Sequence, residues 1–388
     1  MSLSVPLTLP TNSTRPSYSI TFYTNAELFY EHAIPFLTKH LAENNLILGV
    51  SRSCVITPQR YPERFLMIIH SSHGTEDDQQ QEACCNTDSI VLVMAWTIPH
   101  RLLLSAPTHN QTLEERQSIL SAWMDLVLNG SLQDRGLNEN SEHKQAPCFV
   151  EEIWEEIEKL LKKHGRAVSG VLTDNSEAEW FAKEYCEKLK KCVSSEDGMN
   201  NFEIREPSKL RIYSLKAQDI RPCRDLETQQ KRYEFSYLDL NNEKQLDMYI
   251  QCLDEFMNEI FPDHKKMSKE EYMENLINRA LKDGFAPLCY EKDDKDKLPI
   301  SVALVNGIPK AGRVSYVYTS KKHRGKGVAS FLMYSLVHDV LVNHGDIYEA
   351  LFLFTDLSNP TSNSVYMNIG FKPVRDMYDQ EIKYSNHD

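Results

Sequence analysis

Glycine is scarce in this chain, 14 in 388 residues, yet Gly325 and Gly327 stand two apart inside the segment 314–329, VSYVYTSKKHRGKGVA. Residues 313–319 before them read as a strand, and 328–343 after them as an amphipathic helix ended by Gly345. Few folds accommodate that order. Glycines between strand and helix let the backbone turn tightly and bring several N–H groups to the positive end of the helix. Such a loop suits an anion, above all a diphosphate. Charge agrees with this: residues 298–338 hold no Asp or Glu but carry Lys310, Arg313, Lys321, Lys322, Arg324 and Lys326. A solvated basic turn would share that charge, so the glycine spacing and its flanking elements decide.

Two familiar phosphate cradles are excluded. The Walker pattern GxxxxGK[ST] does not occur. A dinucleotide fingerprint would read Gly325-x-Gly327-x-x-Ser330, which lacks its third glycine, and residues 320–324 separate it from the strand.

Around the loop, the C-terminal half reads in a definite order. A strand at 211–215 opens it. A helix at 242–260 follows, with Leu246, Tyr249, Ile250, Leu253, Phe256, Met257 and Ile260 on one face. Ser268 and Glu271 form a capping box that starts another helix, stopped by Gly284. A hairpin at 286–306 leads to the strand before the loop. After the loop helix, 349–355 is a continuous apolar run, the pattern of a strand buried on both faces. A short helix at 361–369, Gly370 as its stop, and strands within 371–384 close the chain.

The N-terminal half mixes strands at 18–24, 64–71 and 89–97 with helices at 26–46, 113–128, 150–164 and 176–191. It shows no phosphate loop. Polar stretches at 73–88, 129–147 and 194–208 read as loops or linkers, the last as the domain boundary.

Arg324-x-x-Gly327-x-Ala329 resembles the acyl-CoA-binding signature [Q/R]-x-x-G-x-[G/A] of the GCN5-related N-acetyltransferase (GNAT) superfamily. Downstream, 355–366, TDLSNPTSNSVY, followed by Gly370-Phe371, resembles the later motif of that family, in which an Asn and a Tyr precede a helix-ending Gly-Phe. The resemblance covers roughly 205–388. The first half is more faintly similar to the N-terminal part of a two-domain GNAT subgroup, through 95–99 with 102–105 and through 168–172.

The resemblance implies an α/β (α+β) fold. A mixed, mostly antiparallel GNAT sheet with a splayed parallel strand pair would form the catalytic domain, 209–388. A degenerate GNAT-like domain, 1–193, would precede it, joined by a linker, 194–208. It also implies an acetyl-CoA-dependent N-acetyltransferase working by direct attack of a primary amine in a ternary complex. The cofactor would be held by Val317, Tyr318, Thr319, Arg324, Gly325, Lys326, Gly327, Val328, Ala329, Asn359 and Asn363, with Asn359 also placed to shape the turn before Pro360. Tyr366 would be the acid that meets the leaving sulfur. The base stays open among Glu255, Glu349 and Asp356.

Three acceptor readings also stay open: a small amine or amino-acid-like molecule, a protein lysine or N-terminus, and none at all, in a CoA-binding sensor. The expected assembly is a monomer or homodimer. With 43 basic against 56 acidic residues the net charge is −13, which disfavours nucleic acid and anionic membrane as partners. The 41% hydrophobic content is enough to build cores and excludes wholesale disorder. Nine cysteines, an odd number without a CxxC, point to reduced thiols, no structural metal and a cytoplasmic location. No apolar run is long enough to span a bilayer.

Overall fold

The computed structural model describes residues 2–7, 17–72, 89–108, 111–129, 155, 159, 168–192, 202–262 and 265–384. The loops expected at 73–88 and 129–147, and most of the helix expected at 150–164, lie outside them. The chain divides into two compact units. One is built from residues up to Lys209 together with those from Asp376 on, the other from Leu210–Arg375.

The first unit contains strands β1 (Ser2–Leu7), β2 (Ser17–Tyr23), β3 (Arg64–Ser72), β4 (Ile90–Thr97), β5 (Leu102–Leu104) and β6 (Gly170–Thr173). Its helices are α1 (Ala26–Leu37), α2 (Asn45–Ile56), α3 (Leu113–Asn129) and α4 (Asn175–Cys192). Successive strands from β1 to β5 pair antiparallel, and β5 runs parallel to β6 through Leu102↔Val171 and Leu103↔Leu172. The runs FLMIIH and IVLVMAW of β3 and β4 are buried on both faces, as expected of central strands.

The second unit opens with β8 (Ser208–Leu215), after a short strand β7 (Phe202–Ile204) inside the expected linker. Then come α5 (Leu226–Arg232), β9 (Tyr233–Tyr237), α6 (Glu243–Ile260), α7 (Lys269–Tyr272), a π turn (Met273–Ile277) and α8 (Asn278–Asp283). Strands β10 (Pro287–Glu291), β11 (Ser301–Ile308) and β12 (Ala311–Thr319) lead to α9 (Val328–His338), β13 (Ala350–Asp356), α10 (Pro360–Ile369) and β14 (Lys372–Tyr384). Helix starts follow side-chain chemistry. Asn242 accepts from the Gln245 N–H at 3.1 Å, and Ser268 and Glu271 exchange hydrogen bonds of 3.2 and 2.7 Å.

The sheet of this unit runs β9-β10-β11-β12-β13-β8, antiparallel except for the parallel pair β12 and β13. Alternation along β11 sorts its side chains into two cores. Ala303 and Val305 join the cluster around α9, while Val302 and Leu304 join the one under α6 and α8.

One strand departs from the domain division expected above. β14 begins in the second unit, but Tyr378–Glu381 pair antiparallel with β6, and Ile382 enters the first unit's core. The second domain therefore does not run unbroken to 388. Conversely, β8 follows the helices of the first unit in sequence and pairs with β13. Both units share one order: strand, helices, antiparallel strands, helix, parallel strand, helix. The expected mixed α/β fold is what the structure has, a mostly antiparallel sheet with one parallel strand pair in each unit.

Candidate active site

The site begins where two strands part. β12 and β13 pair from Ala311↔Ala350 to Val314↔Leu353 and no further, so beyond Val314 the backbone of β12 has no ladder partner on its β13 side. On its other side β12 stays with β11, but irregularly: Leu304 opposes Ser315 and Val302 opposes Tyr318, leaving Tyr316 and Val317 across from Ala303 alone. This is a bulge. Tyr316 adopts φ 54°, a left-handed conformation uncommon for a bulky residue and costing roughly 1–3 kcal/mol. The Ala303 carbonyl accepts a hydrogen bond from the buried hydroxyl of Tyr249 on α6. The bulge also shifts parity. Val314 and Tyr318, four apart, would share a face of a regular strand, yet Val314 lies in the α9 core and Tyr318 in the α6 core.

The loop after β12 carries the two glycines. A 3-10 turn, Lys321–His323, is followed by Gly325 at φ 73° and Gly327 at φ 80°, and Gly327 is the N-cap of α9. No side chain caps that helix, and its first intrahelical bond is Phe331 N–H to the Gly327 carbonyl at 2.9 Å. Among the described residues, no element outside this turn and helix supplies an acceptor to the N–H groups of 325–330. A Cβ built on Gly325 meets no atom within 4 Å, so the loop is open there. Unfilled donors at the positive end of a helix, beside two positive-φ glycines, fit a diphosphate.

The residues expected to hold cofactor divide into two groups. Gly325, Lys326, Gly327, Val328 and Ala329 form this loop and the first helical turn, and Val317 stands at the fork. Tyr318, Thr319, Arg324, Asn359 and Asn363 are also nearby, but their side chains are engaged within the protein. The Tyr318 hydroxyl donates to Glu255 at 2.8 Å, and Thr319 Oγ1 meets Ser301 Oγ at 2.9 Å. Arg324 donates twice to Glu259, at 2.9 and 3.0 Å, and once to the Thr319 carbonyl at 2.9 Å, with its guanidinium over the Tyr318 ring. It therefore pins the start of the loop, which leaves its backbone for any ligand. Asn359 caps α10 by accepting from the Ser362 N–H at 3.1 Å. Asn363 donates to the carbonyls of Asp356 and Asn359 at 2.8 and 2.7 Å and accepts from Tyr213 at 2.9 Å.

Tyr366 lies three residues after Asn363 on the buried face of α10, 8% exposed and edge-on to Phe371. Its hydroxyl has no hydrogen-bond partner among the described residues. Burial raises its pKa above the ordinary phenol value, so the proton stays on throughout the physiological range.

The three carboxylates separate clearly. Glu349 pairs with Lys310 at 3.6 Å, at the closed end of the strand pair. Asp356 accepts from the Ser358 N–H at 2.7 Å in a turn. Glu255 alone of the three lines a cleft of about 800 Å³, shared with Glu259, Glu291, Asp294, Lys321, Lys322 and His323, and Glu259 is paired with Arg324 and Lys321. Glu255 also bonds Tyr318 of the bulged strand. No group of three or more potential metal ligands occurs among the described residues.

The first unit has a fork of the same kind, and it is filled. Beyond Leu103↔Leu172, Arg116 of α3 forms a buried pair with Glu177 of α4, at 2.6 and 3.0 Å, and donates to the Ser105 carbonyl at 3.0 Å. Thr173, at the end of β6, also donates to Glu177.

The sequence alone does not single out Gln229, Tyr213 or Arg116, and it marks Tyr249 only as part of an apolar helix face. Their partners lie 54 to 150 residues away, and no local spacing marks those contacts.

Residues 253–371, within the second unit, match the model of the acetyltransferase (GNAT) family. No curated protein matches the chain at a significant level. Solved structures similar to it include a Drosophila protein, at 10% identity over 96% of this chain and 98% of that one, with a TM-score of 0.48. A tandem GNAT protein from the clavulanic acid biosynthesis pathway aligns over 100% of both chains at 12% identity and a TM-score of 0.45. A GCN5-related N-acetyltransferase from Sphaerobacter thermophilus covers 82% of this chain and 80% of its own, at 11% and 0.42. No helix among the described residues is long and apolar enough to cross a membrane.

Proposed function

We propose that this protein is an acetyl-CoA-dependent N-acetyltransferase acting on a primary amine, with a small amine or amino-acid-like molecule as acceptor. The observation that carries the reading is the fork between β12 and β13 opening directly onto a two-glycine loop whose amides meet no acceptor on any other described element. When bound, acetyl-CoA supplies an acyl group activated as a thioester. The N–H groups of 325–330 hold the diphosphate. Unladdered backbone of β12 around Val317 lines the acyl arm and offers N–H donors where negative charge grows on the acyl oxygen. Tyr366 keeps its proton and presents it to the departing sulfur, by hydrogen bond or by transfer.

Asn363 works at one remove. By holding the carbonyls of Asp356 and Asn359 it fixes the start of α10, and with it the position of Tyr366. The cleft beside Glu255 supports an amine acceptor, because Glu255, Glu291 and Asp294 outnumber its lysines once Glu259 is paired, and Glu255 offers a base to deprotonate an ammonium.

Purified protein with radiolabelled acetyl-CoA and a panel of small amines, lysine peptides and free N-terminal peptides tests the reading. Label transferred to small amines supports it. Label confined to peptides moves the acceptor to protein, and CoA bound without transfer to any amine overturns the enzyme in favour of a sensor.

A further inference from the structure

Gln229 lies on α5, outside the region that matches the family, 97 residues before the loop it touches. It is 8% exposed. Its Nε2 donates to the Lys326 carbonyl at 3.1 Å, while its Oε1 is buried with no partner. The amide presses on Gly327: a Cβ there would stand 2.4 Å from Nε2 and 3.1 Å from Cδ. The contact has a geometric consequence. A trans peptide is planar, with its C=O and N–H pointing in opposite directions. Drawing the Lys326 oxygen toward α5 therefore turns the Gly327 N–H the other way, and keeps a carbonyl dipole from facing an anion. Arg324 fixes the front of the loop through the Thr319 carbonyl, and Gln229 fixes it at the glycine.

We propose that Gln229 is a positioning residue for the diphosphate cradle, setting the 326–327 peptide so that its N–H, and not its carbonyl, meets the phosphate. The inference rests on the proposed coenzyme site.

The test is calorimetric titration of CoA into the full chain, with wild type, Gln229→Leu and Gln229→Glu compared and thermal melting run alongside. Leucine keeps the bulk and loses the donor. CoA affinity should fall about 5- to 20-fold, the factor that goes with one lost hydrogen bond and an orphaned carbonyl. Gln229→Glu should bind more weakly still at pH 8 and recover toward wild type near pH 6, because a protonated carboxyl can again donate to Lys326. A residue that only packs would leave the neutral Gln229→Leu at wild-type affinity. Gln229→Leu affinity within twofold of wild type would overturn the inference, as would a Gln229→Glu deficit that does not change with pH. Wild type that bound no CoA would overturn both this inference and the site reading, whereas wild-type binding with insensitive variants would overturn this inference alone.

Discussion

The Tyr366 ring is buried edge-on against Phe371, and its hydroxyl makes no hydrogen bond among the described residues. Packing does not need that hydroxyl, since a phenylalanine ring would fill the same volume against Phe371. Tyr366→Phe should therefore leave stability nearly unchanged while it removes the chemistry. Its melting temperature should be no lower than that of wild type, while turnover should fall about 10- to 1000-fold with CoA affinity nearly kept, as expected for a lost general acid. A parallel drop in affinity would make Tyr366 a packing residue. Because burial holds the phenol protonated, no loss of rate from its ionisation should set in at any pH below about 10, its unperturbed pKa.

At the level of elements, the two forks explain each other. Parallel strands that part leave backbone and space at their open end. In the second unit, the described residues record no hydrogen bond that fills the gap between β12 and β13. In the first unit, Arg116 and Glu177 close it with a buried, bidentate ion pair tied to Ser105 and Thr173. Removing one partner of such a pair strands a buried charge. Arg116→Met should cost about 3–5 kcal/mol in urea unfolding, and the double variant Arg116→Met with Glu177→Leu should regain most of it. An additive loss in the double variant would mean that the pair does not act as a unit. The glycine loop was legible in the sequence because its signals are local: two glycines, six cations and flanking periodicity within some 30 residues. The Arg116 plug was not legible, since its partner stands 61 residues away. Helix α5 escaped as well. LETQQKR has no apolar stripe, and its place depends on contacts such as Gln229 with Lys326.

Across the whole molecule, a common element order is repeated, while the final strands are paired across the sequence order: β8 with β13, and β14 with β6. The run 371–384 reads as strand from composition alone, but nothing in it names its partner. Strand pairing is a non-local choice that one sequence does not display. The two compact units divide between Lys209 and Leu210, and the chain from Asp376 on belongs to the first. One fork is filled and only the other adjoins a glycine loop, so the whole chain should hold a single coenzyme.

Titration of CoA into wild type and into Gly327→Val tests that claim most directly, with circular dichroism to confirm that both are folded. Gly327 adopts φ 80°, where a β-branched residue is strained, and its Cα side is already filled by the Gln229 amide. The account predicts one CoA per wild-type chain and no detectable binding to folded Gly327→Val. Undiminished binding by Gly327→Val, or two CoA per chain, would contradict it.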